Sequence, residues 1–94
     1  MNKAELVASI AEKAGLTKKD AELALNSMVE TIQEELVAGG KVQLIGFGAF
    51  EVRDRKERYG RDLRDPEKKI LIPAKKAPVF TAGSKLKEAV NQQG

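Results

Sequence analysis

A single change of apolar spacing, at Gly39-Gly40, splits this chain into a helical half and a strand half. Before it, Leu6, Val7, Ile10, Ala11 and Ala14 recur on one helical face. Asn2 with Glu5 three residues on is an Asn variant of the capping box, and Gly15 can serve as the left-handed stop. Thr17 with Asp20 opens a second helix whose stripe is Ala21, Ala24, Leu25, Met28, Val29, Ile32 and Leu36. The short connection predicts an αα-hairpin over residues 1–40.

After the break the period is two. Val42 and Leu44 alternate with Lys41 and Gln43; Gly46 and Gly48 allow a tight turn; Phe50 and Val52 continue a second strand. Ile70 and Ile72 predict a third strand ending at Pro73, which Val79 and Phe80 resume after Pro78. Gly83-Ser84 then opens a short C-terminal helix with Leu86, Ala89 and Val90 inward. The expectation is one α+β domain over 1–94: a helical dimerisation base (1–40), a three-stranded antiparallel sheet with a protruding ribbon (41–82), and a C-terminal helix and tail (83–94).

Charge follows the same division. Residues 1–40 hold four Lys against seven acids, whereas 41–94 hold thirteen Lys/Arg against seven acids. An acidic half and a basic half suit a body carrying a polyanion-binding surface, and equally an ordinary solvated surface. The basic residues concentrate in 53–76 as Arg53, Arg55, Lys56, Arg58, Arg61, Arg64, Lys68, Lys69, Lys75 and Lys76, among five acids. Arg53 and Arg55 share one strand face, Lys56 and Arg58 the other. The part of it between the second and third strands, roughly Arg53 to Lys69, lacks the apolar pairs that hold a sheet to a core, so it is expected to project as a ribbon, mobile until a ligand orders it. Each phosphate it contacts adds to the salt dependence of binding.

Other chemistry finds little support. With no Cys and no His, disulfides, the common zinc sites and His-based acid–base catalysis are excluded. Glu34-Glu35 lies on a solvated helix face, so no catalytic site, metal, cofactor or small-molecule substrate is expected. Gly46-Phe47-Gly48 lacks the third glycine and following helix of a dinucleotide loop. Gly83-Ser84-Lys85 starts a helix whose N–H groups suit a phosphate, with Lys87 nearby; ordinary capping fits it equally. The apolar-rich stretch from Val42 to Phe50 is too short to span a bilayer, and the N-terminal pattern is amphipathic. The chain is therefore expected to be soluble and cytoplasmic. One αα-hairpin over one short sheet leaves apolar surface uncovered, which predicts an intertwined homodimer cored by Leu36, Leu44, Phe47, Phe50 and Phe80.

The wording of the chain resembles the bacterial HU / integration host factor family, and HU in particular, from Met1 to Val90. The likeness lies in Met1-Asn2-Lys3-Ala4-Glu5-Leu6, Ala11-Glu12-Lys13-Ala14-Gly15-Leu16, Lys41-Val42-Gln43-Leu44 and Gly46-Phe47-Gly48-Ala49-Phe50-Glu51-Val52-Arg53. The resemblance implies a nucleoid-associated homodimer whose two β-ribbon arms enter the minor groove. Such proteins bind, bend and compact double-stranded DNA with little sequence preference, favouring bent, nicked or gapped duplex; HU is itself a known example of the minor-groove architectural class. It implies contacts from the arm cations, extended by Lys3, Lys75, Lys76, Gly83, Ser84, Lys85 and Lys87 on the body. Where the family carries Asn (or Lys)-Pro-x-Thr-Gly at the arm tip, this chain reads Asp62-Leu63-Arg64-Asp65-Pro66, with one extra residue before Ile70. By direct count Leu63 takes the place of the wedge proline, with Pro66 as the second candidate. The family's Lys-Pro-Gly-Lys reads Thr81-Ala82-Gly83-Ser84. Two rival readings are a site-preferring factor like integration host factor and a structural or protein-interaction dimer with weakened DNA bending.

Overall fold

The computed structural model describes residues 1–92; residues 93–94 of the expected tail lie outside the described residues. Helix α1 (Lys3–Ala14) starts where Asn2 caps it, its side-chain oxygen accepting from the Glu5 N–H at 2.9 Å. It stops at Gly15, which is left-handed with φ 70°. Helix α2 (Lys18–Val37) begins in the same way, with Thr17 Oγ1 accepting from the Asp20 N–H at 3.1 Å. The two helices meet over Val7, Ala11 and Ala21, with Ile10 and Leu25 packed against them. Small side chains at Ala11 and Ala21 let the helices approach closely.

Strand β1 (Val42–Leu44) pairs antiparallel with β2 (Gly48–Arg55) through the turn Leu44–Phe47, closed by the Phe47 N–H donating to the Leu44 carbonyl at 2.9 Å. Gly46 stands third in that turn with φ 86°, a conformation that a side chain disfavours. Strands β3 (Arg58–Arg61) and β4 (Lys69–Ile72) form a separate two-stranded ladder. Strand β5 (Lys75–Ala82) returns to the body and pairs with β2, giving the order β1-β2-β5. Helix α3 (Ser84–Asn91) closes the described chain.

Two expectations change here. Of the expected third strand, only the Val79–Phe80 part lies in the body sheet, within β5; Ile70 and Ile72 belong to the outer ribbon. Pro78 does not interrupt β5; it lies opposite Val52 within it. Because β5 is an edge strand, the missing N–H of Pro78 need not break a ladder. The outer ribbon also holds an apolar cross-strand pair that residue spacing does not reveal, Tyr59 opposite Leu71.

The single chain leaves its core unfinished. Among the described residues only Val7, Ala11 and Ala21 are buried apolar side chains, and no large side chain is fully buried. Phe80 stacks at 5.0 Å from Phe50 and 5.4 Å from Phe47, yet Phe80 is 43% and Phe47 45% exposed. A groove of about 430 Å³ lined by Val29, Ile32, Leu36, Val37, Val52 and Pro78 runs between α2 and the sheet. The radius of gyration is 19.0 Å, against about 13 Å for a compact domain of this size.

Candidate nucleic-acid interface

The arm is an antiparallel ribbon in two ladders. The lower ladder continues β2 and β5 as far as Arg55 opposite Lys75; the outer one resumes with Arg58 opposite Ile72. Two residues are skipped on each strand, Lys56-Glu57 and Pro73-Ala74, so the register is the same on both sides of the gap. Pro73 has no N–H to donate across it. The gap forms a concavity of about 590 Å³ lined by Arg55, Lys56, Glu57, Arg58, Ile72, Pro73, Lys75 and Ala77.

Register decides which charges face each other. Arg55 lies directly opposite Lys75, and Arg61 directly opposite Lys69. Like charges in directly opposed positions destabilise a ribbon. Asp54 opposite Lys76 is the complementary pair, on the other face of the lower ladder. Arg53 is opposite Ala77 and shares its face with Arg55 and Lys75. All of these arm cations are solvent-exposed. A ribbon that opposes cation to cation twice is suited to a polyanion that supplies the missing negative charge.

The tip is a hydrogen-bonded cap. The Asp62 N–H donates to the Lys68 carbonyl, and the Lys68 N–H to the Asp65 carbonyl, both at 2.9 Å. The second bond closes a four-residue turn with Pro66 in its second position, where a fixed φ is favoured. Asp62 and Asp65 are turn formers: Asp62 Oδ1 accepts from the Arg64 N–H at 2.9 Å and Asp65 Oδ1 from the Glu67 N–H at 3.2 Å. Between them Leu63 is 100% exposed. The cap therefore holds Pro66 in a turn and presents Leu63 outward.

The remaining sequence-derived candidates lie on the body or the tip flanks. Arg64 and Lys68 belong to the cap, Lys3 opens α1, and Ser84, Lys85 and Lys87 lie on α3. Gly83 caps α3, but its N–H donates to the Phe47 carbonyl at 2.8 Å, so that amide serves the body. The Lys85 stem lies against Gly46, where an added Cβ would come within 3.3 Å of it. Tyr59 and Leu71 are absent from the sequence-derived candidates. Tyr59 is conspicuous as the chain's one tyrosine, set within the basic run, but its partner is visible only through the register.

A helical base with a half-finished core, carrying one long basic ribbon with an apolar tip, defines a β-ribbon nucleic-acid-binding protein. The chain belongs to the bacterial DNA-binding protein family, whose model matches residues 1–91. It is 56% identical over 92 residues to the DNA-binding protein HU of Clostridium pasteurianum, a match covering 98% of this chain and all of that one. Its fold is similar to that in an Anabaena HU–DNA cocrystal structure, with a TM-score of 0.87, 50% identity and coverage of 96% and 97%. HU from Thermotoga maritima is a further structural neighbour, with a TM-score of 0.67, 39% identity and coverage of 96% and 98%.

Proposed function

We propose that two copies of this chain form a homodimer that binds and bends double-stranded DNA with little sequence preference, as a nucleoid-associated architectural protein of the cytoplasm. The observation that carries this reading is the two pairs of opposed cations, Arg55 with Lys75 and Arg61 with Lys69, on a ribbon that stands clear of the body. Phosphates relieve that repulsion, and their contacts carry no base information. Arg53, Lys56, Arg58, Arg64, Lys68 and Lys76 add further phosphate and groove-edge contacts along the arm. Lys3, Ser84, Lys85 and Lys87 continue the track on the body. Leu36, Leu44, Phe47, Phe50 and Phe80 supply the dimer core, since each remains half-buried or exposed in the single chain.

Leu63 is the wedge. Leaving a leucine in water forgoes about 1.5–3 kcal/mol of burial, and insertion between base pairs recovers part of it while kinking the duplex. Pro66, fixed inside the tip turn, is the support of that wedge. No enzymatic role is proposed. Competition binding with linear, nicked and gapped duplexes of unrelated sequence, across a salt series, tests the reading. The expected result is tight binding at low salt, a steep salt slope, and preference for the nicked and gapped forms. Absence of duplex binding at low salt would leave the protein as a structural or protein-interaction dimer.

A further inference from the structure

We infer that Tyr59 and Leu71 form an apolar contact surface of the arm that packs against the deoxyribose wall of the minor groove and supplies a salt-independent part of the affinity. This rests on the DNA-binding reading above and assigns to it two residues that charge alone does not select.

Tyr59 and Leu71 are directly opposed on β3 and β4, so their side chains share one face of the ribbon. The next opposed pair on that face, two residues outward, is Arg61 with Lys69. The reverse face is partly closed on itself: a Cβ added at Gly60 would lie 2.9 Å from Ile72 Cδ1, so Ile72 folds over the glycine. The Tyr59 face stays open, with Tyr59 72% and Leu71 48% exposed. An apolar pair on a mostly charged arm has no body to pack on, because the outer ladder is separate from the body sheet.

Charge complementarity selects the occupant. A polyanion with apolar surface between its charges meets both the cation pair and the pair beside it, and a DNA backbone alternates phosphate with sugar. Steric fit points the same way. Two strand backbones are about 4.7–4.9 Å apart before any side chain is counted, and the minor groove is only about 6 Å wide. The ribbon can enter only a widened groove, and widening exposes sugar edges that Tyr59 and Leu71 can cover.

Tyr59 is also its own reporter, since the chain has one Tyr and no Trp. The test measures acrylamide quenching of tyrosine fluorescence in the wild-type protein, free and saturated with gapped duplex. It is paired with duplex affinity against salt for wild type, Tyr59→Phe, Tyr59→Thr and Leu71→Thr. Expected are a several-fold lower quenching constant in the complex and near-wild-type binding by Tyr59→Phe. For the two threonine variants, affinity should fall about tenfold at every salt concentration, giving lines parallel to wild type. A tyrosine as quenchable in the complex as in the free protein overturns the inference, as does wild-type affinity for both threonine variants. If wild-type protein does not bind duplex at low salt, the DNA-binding reading fails and takes this one with it. Binding with an unshielded tyrosine sinks this inference alone.

Discussion

At the scale of single residues, three positions carry unequal burdens. Gly48 lies where the body sheet is tightest: a Cβ there would be 2.6 Å from Phe80 Cζ and 2.6 Å from the Thr81 carbonyl oxygen. The carbonyl belongs to a paired strand and cannot retreat. Gly48→Ala should therefore cost about 1–3 kcal/mol by overpacking, read as a lower denaturant midpoint with little change in slope. Leu63 is the opposite case, because it touches nothing that stability needs. Leu63→Ala should leave the unfolding midpoint unchanged and abolish the preference for nicked over linear duplex, with the salt slope intact. Retained preference for nicked DNA would remove Leu63 from the wedge role. Arg61→Gln should do the reverse, lowering the salt slope by about 0.9 for each phosphate it no longer neutralises while the preference survives.

At the scale of elements, the two ladders of the arm differ in what supports them. The inner ladder continues a three-stranded sheet, whereas β3 and β4 have only each other, and isolated two-stranded ribbons are marginal in water. Among the paired strands, amide exchange in the free protein should be fastest in Arg58–Arg61 and Lys69–Ile72, and duplex should slow it most there. Equal protection of both ladders in the free protein would contradict this. The helices are legible in the sequence to within a residue or two, because Asn2, Thr17 and Gly15 each bond or bend locally in ways that need no tertiary partner. The strands are less so. Ile70 and Ile72 alternate as any strand does, and alternation names a face without naming a neighbour. Their assignment to the body sheet fails because only the register places them opposite Gly60 and Arg58. Pro78 reads as a break in the sequence because its tolerance depends on β5 being an edge. The basic arm itself is legible from charge alone, while the Tyr59–Leu71 pair is hidden by the sequence that runs out to the tip and back between them.

At the scale of the whole molecule, the buried apolar residues Val7, Ala11 and Ala21 cannot hold a fold of this extent. Small domains bury the least of their surface and often recruit a second copy to complete the core. The thermal midpoint should therefore rise with protein concentration, as it does when folding and association are one equilibrium. A midpoint constant over a hundredfold concentration range would mean a stable folded monomer. Leu36→Lys, at the groove between α2 and the sheet, should lower the midpoint most steeply in dilute solution.

The ladder gap at Lys56-Glu57 and Pro73-Ala74 has a mechanical consequence. A ribbon hydrogen-bonded without interruption would act as a stiff lever and dictate one angle to whatever it gripped. Two short ladders in a common register, separated by unpaired residues, act as linked segments instead, so the outer one can follow the duplex as it flexes. On long DNA such a protein behaves as a compliant joint. It should shorten the apparent persistence length from its bare value of about 50 nm, with a broad spread of local angles in single-molecule images.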